Sequence, residues 1–315
     1  MTLDEPDAPL GNPESAAVLA NGDMAVATSS PAAVHLFDDR GRYIQQIGDQ
    51  GSGPFEYQNP SIVRTDGSTV YVWDSEQLRL LAFDDEGREI DEWIHFSQAL
   101  ADFDVEEETL LGYRSGIRSG AFVSGQQIED GEGIFATGEV TDEHVVLSFL
   151  DGSGTLRASQ EHVYYASPAR ASIYAYDRDL GQTQTYHIED GDFSVNEFAQ
   201  NLTDRESIID YVTENSRFYK LNVLADQSFL AALQHGSITY GDDGLSDFDR
   251  ALNIHHVGEE GQAKGCEQIE LDFESTGDDP IIGYTDNGFI FLETEQENGD
   301  LTYRIYLMGL DGENH

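Results

Sequence analysis

VRTDGSTVYVWDSEQLRLLAFDDEGREIDEWI, residues 63–94, reads as four short β-forming runs separated by three polar turns. Val70 and Val72 alternate with Tyr71 and Trp73, which is the period of a strand and not of a helix. Residues 18–48, VLANGDMAVATSSPAAVHLFDDRGRYIQQIG, repeat the plan: an apolar run, an Asn-Gly turn, an alternating run, and Phe-Asp-Asp-x-Gly-Arg before a last run. Phe37 and Phe83 stand 46 residues apart. A four-stranded unit recurring every 40–50 residues or so is the signature of a propeller blade. In each copy Asp accepts from turn amides, and Gly41 or Gly87 supplies the left-handed conformation that a bulged hairpin needs.

Looser copies of this turn follow Phe149, Tyr176, His256 and Leu310, so the anchors fall at 37, 83, 149, 176, 256 and 310. The uneven later spacing reads as an excursion in the third blade. The expectation is a single all-β domain over 1–315, a six-bladed propeller of four-stranded antiparallel blades; seven blades of about 45 residues stay open as an alternative. Residues 1–12 form an N-terminal segment expected to lend a short strand near Thr2–Asp4 to the last blade. Thr203 and Glu206 make a capping box, and Ile208, Ile209, Tyr211 and Val212 follow at helical spacing, so an inserted helix is expected at 204–214.

The chain is 315 residues long and carries 61 acidic against 16 basic residues, a net charge of −45. Leu, Ile, Val and Phe number 26, 19, 16 and 16, enough for a real core despite that charge. The acidic residues are spread through every segment, and only Lys220 and Lys264 are lysines. Such a surface repels itself in dilute buffer and is screened at molar salt, where the Debye length is about 3 Å. Adaptation to high salt is the reading; a cation-binding or basic-partner role competes with it. Nucleic acid is disfavoured, because phosphate binding needs a basic footprint. No apolar run is long enough to span a membrane as a helix, and no signal-peptide pattern opens the chain. One cysteine, Cys266, excludes an internal disulfide framework.

Residues 47–57, IGDQGSGPFEY, lack the phosphate-loop and GxGxxG patterns. After a Phe-Asp-x-x-Gly turn, a strand ending Ile-Gly and then Gly51, Gly53, Pro54, Glu56 and Tyr57 resembles bacterial six-bladed β-propeller proteins related to the NHL-repeat group. There a Gly-x-Gly-Pro-Gly-Glu-Tyr loop joins two blades; here Phe55 stands in place of the second turn glycine. Residues 173–193 resemble the fourth blade of the same group. The resemblance implies the fold and, because such proteins are commonly exported or lipid-anchored, an extracytoplasmic location; a cytoplasmic one stays open. Most members have no assigned reaction.

The nine histidines form neither HxxxH nor HExxH, and adjacent His255 and His256 face opposite sides of a strand. No calcium loop and no nucleophile elbow is present. The expected inner strands, about 15–20, 61–65, 222–225 and 280–284, offer Ser15, Ser61, Asn222 and Tyr284, too poor a set for a metal. No catalytic residue, metal or cofactor is assigned. The binding candidates are aromatic and arginine residues expected to be exposed near loops, Tyr57, Trp73, Tyr113, Arg114 and Arg170, the types that dominate hot spots. The reading is a monomeric, non-catalytic protein that binds a partner protein or small ligand on one propeller face. The alternatives are a channel-centred hydrolase or lyase and a structural module of an envelope complex.

Overall fold

A computed structural model describes residues 1–3, 10–106, 109–114, 121–128, 133–139, 155–159, 161–168, 170–177, 182–194, 215–241, 244–272, 280–297 and 300–309. Among these the regular structure is all strand. The first blade comprises β1 (Asn12–Val18), β2 (Met24–Ser29), β3 (Ala33–Phe37) and β4 (Tyr43–Gln46). A loop carrying β5 (Asp49–Gln50) and β6 (Glu56–Tyr57) leads to the second blade: β7 (Pro60–Thr65), β8 (Thr69–Asp74), β9 (Arg79–Asp84) and β10 (Glu89–His95). The third holds β11 (Leu100–Glu106), β12 (Thr109–Arg114), β13 (Ala121–Gln127) and β14 (Gly133–Glu139). The fourth holds β15 (Thr155–Ala158), β16 (His162–Ala166), β17 (Ser172–Asp177) and β18 (Gln182–His187). The fifth holds β19 (Arg217–Val223), β20 (Phe229–Gly241), β21 (Gly244–Val257) and β22 (Ala263–Glu270), and the sixth β23 (Ile281–Thr285), β24 (Gly288–Glu297) and β25 (Asp300–Gly309). Strands within each blade pair antiparallel in chain order.

The blades pack face to face, and each of six apolar clusters fills one gap. Val70, Val72, Leu81 and Phe83 meet Ala25, Val34 and Leu36 of the first blade. Tyr71 and Trp73, one register position away, meet Leu100, Phe103 and Leu110 of the third. The alternation along β8 thus has both faces buried, one against each neighbour. The ring closes where β1 pairs in parallel with β23, Ala16 opposite Gly283, which merges the first and last blades into one sheet. A Cβ on Gly283 would overlap the Ala16 carbonyl, so the close approach demands glycine. Outside β25, Thr2 bridges Arg304, the Leu3 amide donates to the Tyr303 carbonyl at 3.1 Å, and Leu3 sits in the cluster between the sixth and first blades.

The Asp-x-x-Gly turn is built the same way twice. Asp38 Oδ1 accepts from the amides of Arg40 and Arg42 at 3.0 and 2.9 Å, and Asp84 Oδ1 from those of Glu86 and Arg88 at 3.0 and 2.8 Å. Gly41 and Gly87 have φ of +82° and +73°. The third-blade turn is not at Phe149: β13 and β14 are joined through 128–132, where Ile128-Glu129-Asp130-Gly131 continues the early repeat 45 residues after Phe83. Tyr176 then follows Ile128 by 48 residues, so the uneven spacing that suggested an excursion in the third blade disappears. The helix expected at 204–214 lies outside the described residues, as do Phe149 and Leu310.

Candidate functional site

The inner strands β1, β7, β11, β15, β19 and β23 surround a central channel with a cavity at each mouth. One, of about 440 Å³, is lined by residues that include Ser15, Ser61, Arg64, Asp102, Arg157 and Lys220. The other, of about 810 Å³, is lined by residues that include Asp66, Asp104, Glu106, Tyr284 and Asp286. Arg64 and Arg157 line both cavities, so they mark the waist.

Asp102 organises the waist. Arg64 Nη2 donates to its Oδ1 at 2.6 Å, and Arg157 Nη1 to its Oδ2 at 2.7 Å. The Phe103 and Leu156 amides donate to the same two oxygens at 2.9 and 3.1 Å. Burial would push this carboxyl up, but Arg157 and then Arg64 outweigh it and hold it at about 2. Two residues along β11, Asp104 shows the opposite balance: burial wins over Arg157 and its carboxyl is raised. Tyr284 donates its hydroxyl to Asp104 Oδ1 at 3.1 Å, and its ring faces the Arg64 and Arg157 guanidinium groups at 4.9 and 3.6 Å.

Lys220 and Arg217 project from β19 into the smaller cavity. Burial lowers the Lys220 ammonium to about 8, with Asp102 opposing the shift. Four of the chain's sixteen basic residues, Arg64, Arg157, Arg217 and Lys220, therefore converge on one mouth. Among the described residues, the lining also includes the apolar Ile62, Ala101, Ile281, Ile282 and Phe289. Arg157 is 3% exposed, and its buried Nε has no hydrogen-bond partner.

A second polar cluster joins the segment after β18 to the fifth blade. Asp190 Oδ2 contacts His255 Nε2 at 2.7 Å and His235 Nε2 at 3.1 Å, and accepts from Asn253 Nδ2 at 3.1 Å. Burial raises the Asp190 carboxyl, but the His255 and Asn253 bonds outweigh it and bring it to about 2. His256 faces the other way, 2.9 Å from Ser228 Oγ. Among the described residues, no group of three or more His, Cys, Asp or Glu is arranged to hold a metal.

The expected binding residues are not brought together, and none lines either mouth. Tyr57, Trp73 and Tyr113 are each 0% exposed, which corrects the expectation that they are presented near loops. Tyr57 donates to the Ile47 carbonyl at 2.8 Å and accepts from the Val34 amide at 3.0 Å, pinning the interblade loop. Trp73 packs edge-on to Phe96, and Tyr113 lies beside Tyr165. Arg114 is half-buried on β12, and Arg170 is exposed in the turn before β17. In that interblade loop, Phe55 takes φ +23°, the conformation that a glycine would meet without strain, and Glu56 Oε2 accepts from the Gly53 amide at 2.7 Å.

Of the inner-strand polar residues, Ser15 and Ser61 line the smaller cavity and Asn222 and Tyr284 the larger. The charged members were missed because β11 and β15 were not read as inner strands. A signal was available: Asp102 and Asp104, and Thr155 and Arg157, are polar pairs at a spacing of two inside short apolar runs, which places them on one face.

Among curated proteins none matches the sequence significantly. A solved structure of a DUF4221 family member from Bacteroides vulgatus aligns over 98% of this chain and 97% of its own, with TM-score 0.69 and 10% identity. A Bacteroides fragilis protein described as exported aligns over 98% of this chain and 94% of its own, with TM-score 0.66 and 11% identity. Hydrazine synthase of Kuenenia stuttgartiensis aligns over 97% and 78%, with TM-score 0.51 and 12% identity. At these identities the likeness is one of fold. The sequence itself matches the family DUF5128, described as 6-bladed beta-propeller, over residues 9–240, and the chain belongs to that family.

Proposed function

We propose that this propeller is a non-catalytic binding protein whose ligand seat is the channel mouth between β7, β15, β19 and β23. The observation that carries this reading is the convergence of four cationic side chains on a cavity of about 440 Å³ in a chain of net charge −45. That volume lies within the roughly 300–1,000 Å³ usual for ligand pockets, and a few polar groups among apolar lining residues are what fixes a ligand's orientation. Relation to NHL-repeat propellers, a salt-rich setting and an extracytoplasmic location complete the reading. They rest on the Gly-x-Gly-Pro loop, the acidic surface and the structural neighbour described as exported. A thermal-shift screen of small metabolites tests it with wild type and Ser61→Trp, which fills the mouth from a half-buried position. Compounds should raise the melting temperature of wild type only; equal shifts in both proteins would place binding elsewhere.

The Lys220 amine, brought down to about 8, favours a second reading, in which the mouth is the active site of a hydrolase or lyase and the amine moves a proton. Turnover of a channel ligand that disappears in Lys220→Met would establish it.

A further inference from the structure

We propose that His35 is an acid-operated latch on the ring: on taking up a proton it opens the seam between the first and sixth blades and releases the N-terminal segment that seals it. The inference stands apart from the ligand seat. Three observations carry it.

The first is place. His35 lies in the middle of β3, opposite Val26 on β2 and Gln46 on β4. Its ring is 6.3 Å from that of Phe37, two residues along the same face, and 5.9 Å from that of Tyr43. Val26, Phe37 and Tyr43 share one cluster with Ile290 and Ile305 of the sixth blade and with Leu3 and Leu10 of the N-terminal segment. His35 therefore faces the seam at which the ring closes.

The second is its surroundings. His35 is 3% exposed, and neither ring nitrogen has a hydrogen-bond partner. Burial pushes the imidazole below its ordinary value, and the Leu10 backbone, close by without a formed hydrogen bond, opposes that shift in part. Among the described residues no charged side chain acts on the ring. Of the ionisable groups on the flanking elements, Arg42 pairs with Asp38 and Arg304 with Glu295, and the Met1 ammonium donates to the Ile305 carbonyl. Tyr43 and Tyr303 are the phenols of the cluster. A neutral imidazole can remain in such a place. An imidazolium there has a charge and two N–H donors with no acceptor, and a buried unpaired charge drives the structure around it toward water.

The third is how the seam is sealed. Residues 1–3 lie along β25 through the Leu3 amide on the Tyr303 carbonyl, the Ile305 amide on the Met1 carbonyl and the bridge of Thr2 to Arg304. A short terminal segment on a sheet edge is among the parts of a fold that open at lowest free energy, well below global unfolding. The sign follows from the lowered imidazole: the seal is fully in place above the ordinary histidine value of 6.5 and weakens as pH falls below it.

The test follows hydrogen exchange at single amides of the full chain by NMR, at pH of about 8 and about 5, with intrinsic rates divided out. Molar potassium chloride throughout screens the general charge repulsion. Protection of the Leu3 and Ile305 amides should fall about tenfold or more on acidification, while that of Val72 in the second blade holds. His35→Phe and His35→Gln, which cannot titrate, should each keep the two seam amides protected at both pH values. The His35 ring signals of wild type should titrate in step with the loss, which decides the matter even if neither variant folds. Unchanged protection in wild type would overturn the proposal. So would an equal loss in the variants, an equal loss at Val72, or ring signals that titrate without any loss at the seam.

Discussion

The Arg157 guanidinium sits 3.6 Å from the centre of the Tyr284 ring while its Nη1 holds Asp102 at 2.7 Å, so one side chain of β15 ties β23 to β11 across the channel. With Arg64 on the other carboxylate oxygen, three inner strands of different blades are fastened to that of the last one. The waist is therefore a plug, and the two mouths are separate cavities.

Replacing Asp102 with Asn should cost about 3 kcal/mol or more, because two buried guanidinium groups lose their counter-charge. The penalty should depend on pH. The folded carboxyl is held at about 2 against an ordinary 3.8. A depressed carboxyl stabilises the fold above its unfolded value and loses that contribution as pH falls through the folded one. The gap corresponds to roughly 2 kcal/mol. Urea denaturation should show the difference between wild type and Asp102→Asn at full size above pH of about 4 and much reduced near pH of about 2. A pH-independent difference would show that the charge is not its source.

Leu3→Ala should cost about 2–3 kcal/mol, by losing buried apolar area and leaving a cavity between the sixth and first blades. Leu3 is 5% exposed; Leu301, in β25 but 41% exposed, is the control and should cost well under 1 kcal/mol or so on the same change. Equal effects at the two positions would mean that the N-terminal segment does not seal the ring.

Tyr57→Phe should destabilise by roughly 1–3 kcal/mol without altering ligand affinity. The hydroxyl alone satisfies the Val34 amide and the Ile47 carbonyl at the foot of the interblade loop, and a buried pair left unmade carries that cost. Equilibrium denaturation and the thermal-shift response to a channel ligand, run on the same variant, separate the two effects.

Stability should rise with salt. With −45 charges and sixteen basic side chains, most carboxylates find no cationic partner. Folding draws them together, because the compact chain has a far smaller radius than the unfolded one. Molar salt screens the repulsion and strengthens apolar burial. Melting curves should move upward between dilute buffer and molar potassium chloride. A flat response would leave the acidic surface needing some other role.

What the sequence by itself determined is local. The period of two in Val70–Trp73, the Asp-x-x-Gly turns and the 46-residue step between Phe37 and Phe83 are set by a few neighbouring residues, and they specify blades before any tertiary contact forms. With the third turn at Ile128 the repeat runs evenly through the fourth blade, and it breaks only before His256, where the long β20 and β21 delay the turn. Tertiary structure decided which strand of each blade faces the axis. Asp102 and Arg157 lie 55 residues apart; the polar pairs at a spacing of two mark one face of each strand, but only ring closure brings the two faces together. It also decided the fate of the aromatic residues. Trp73 and Tyr57 have the chemistry of a binding surface, but each blade lies between two others, so both faces of its sheet are buried and these rings pack between blades. Charge on the axis and rings between blades follow from one cause: blades arranged in a ring bury their faces against each other and leave only the inner and outer edges open.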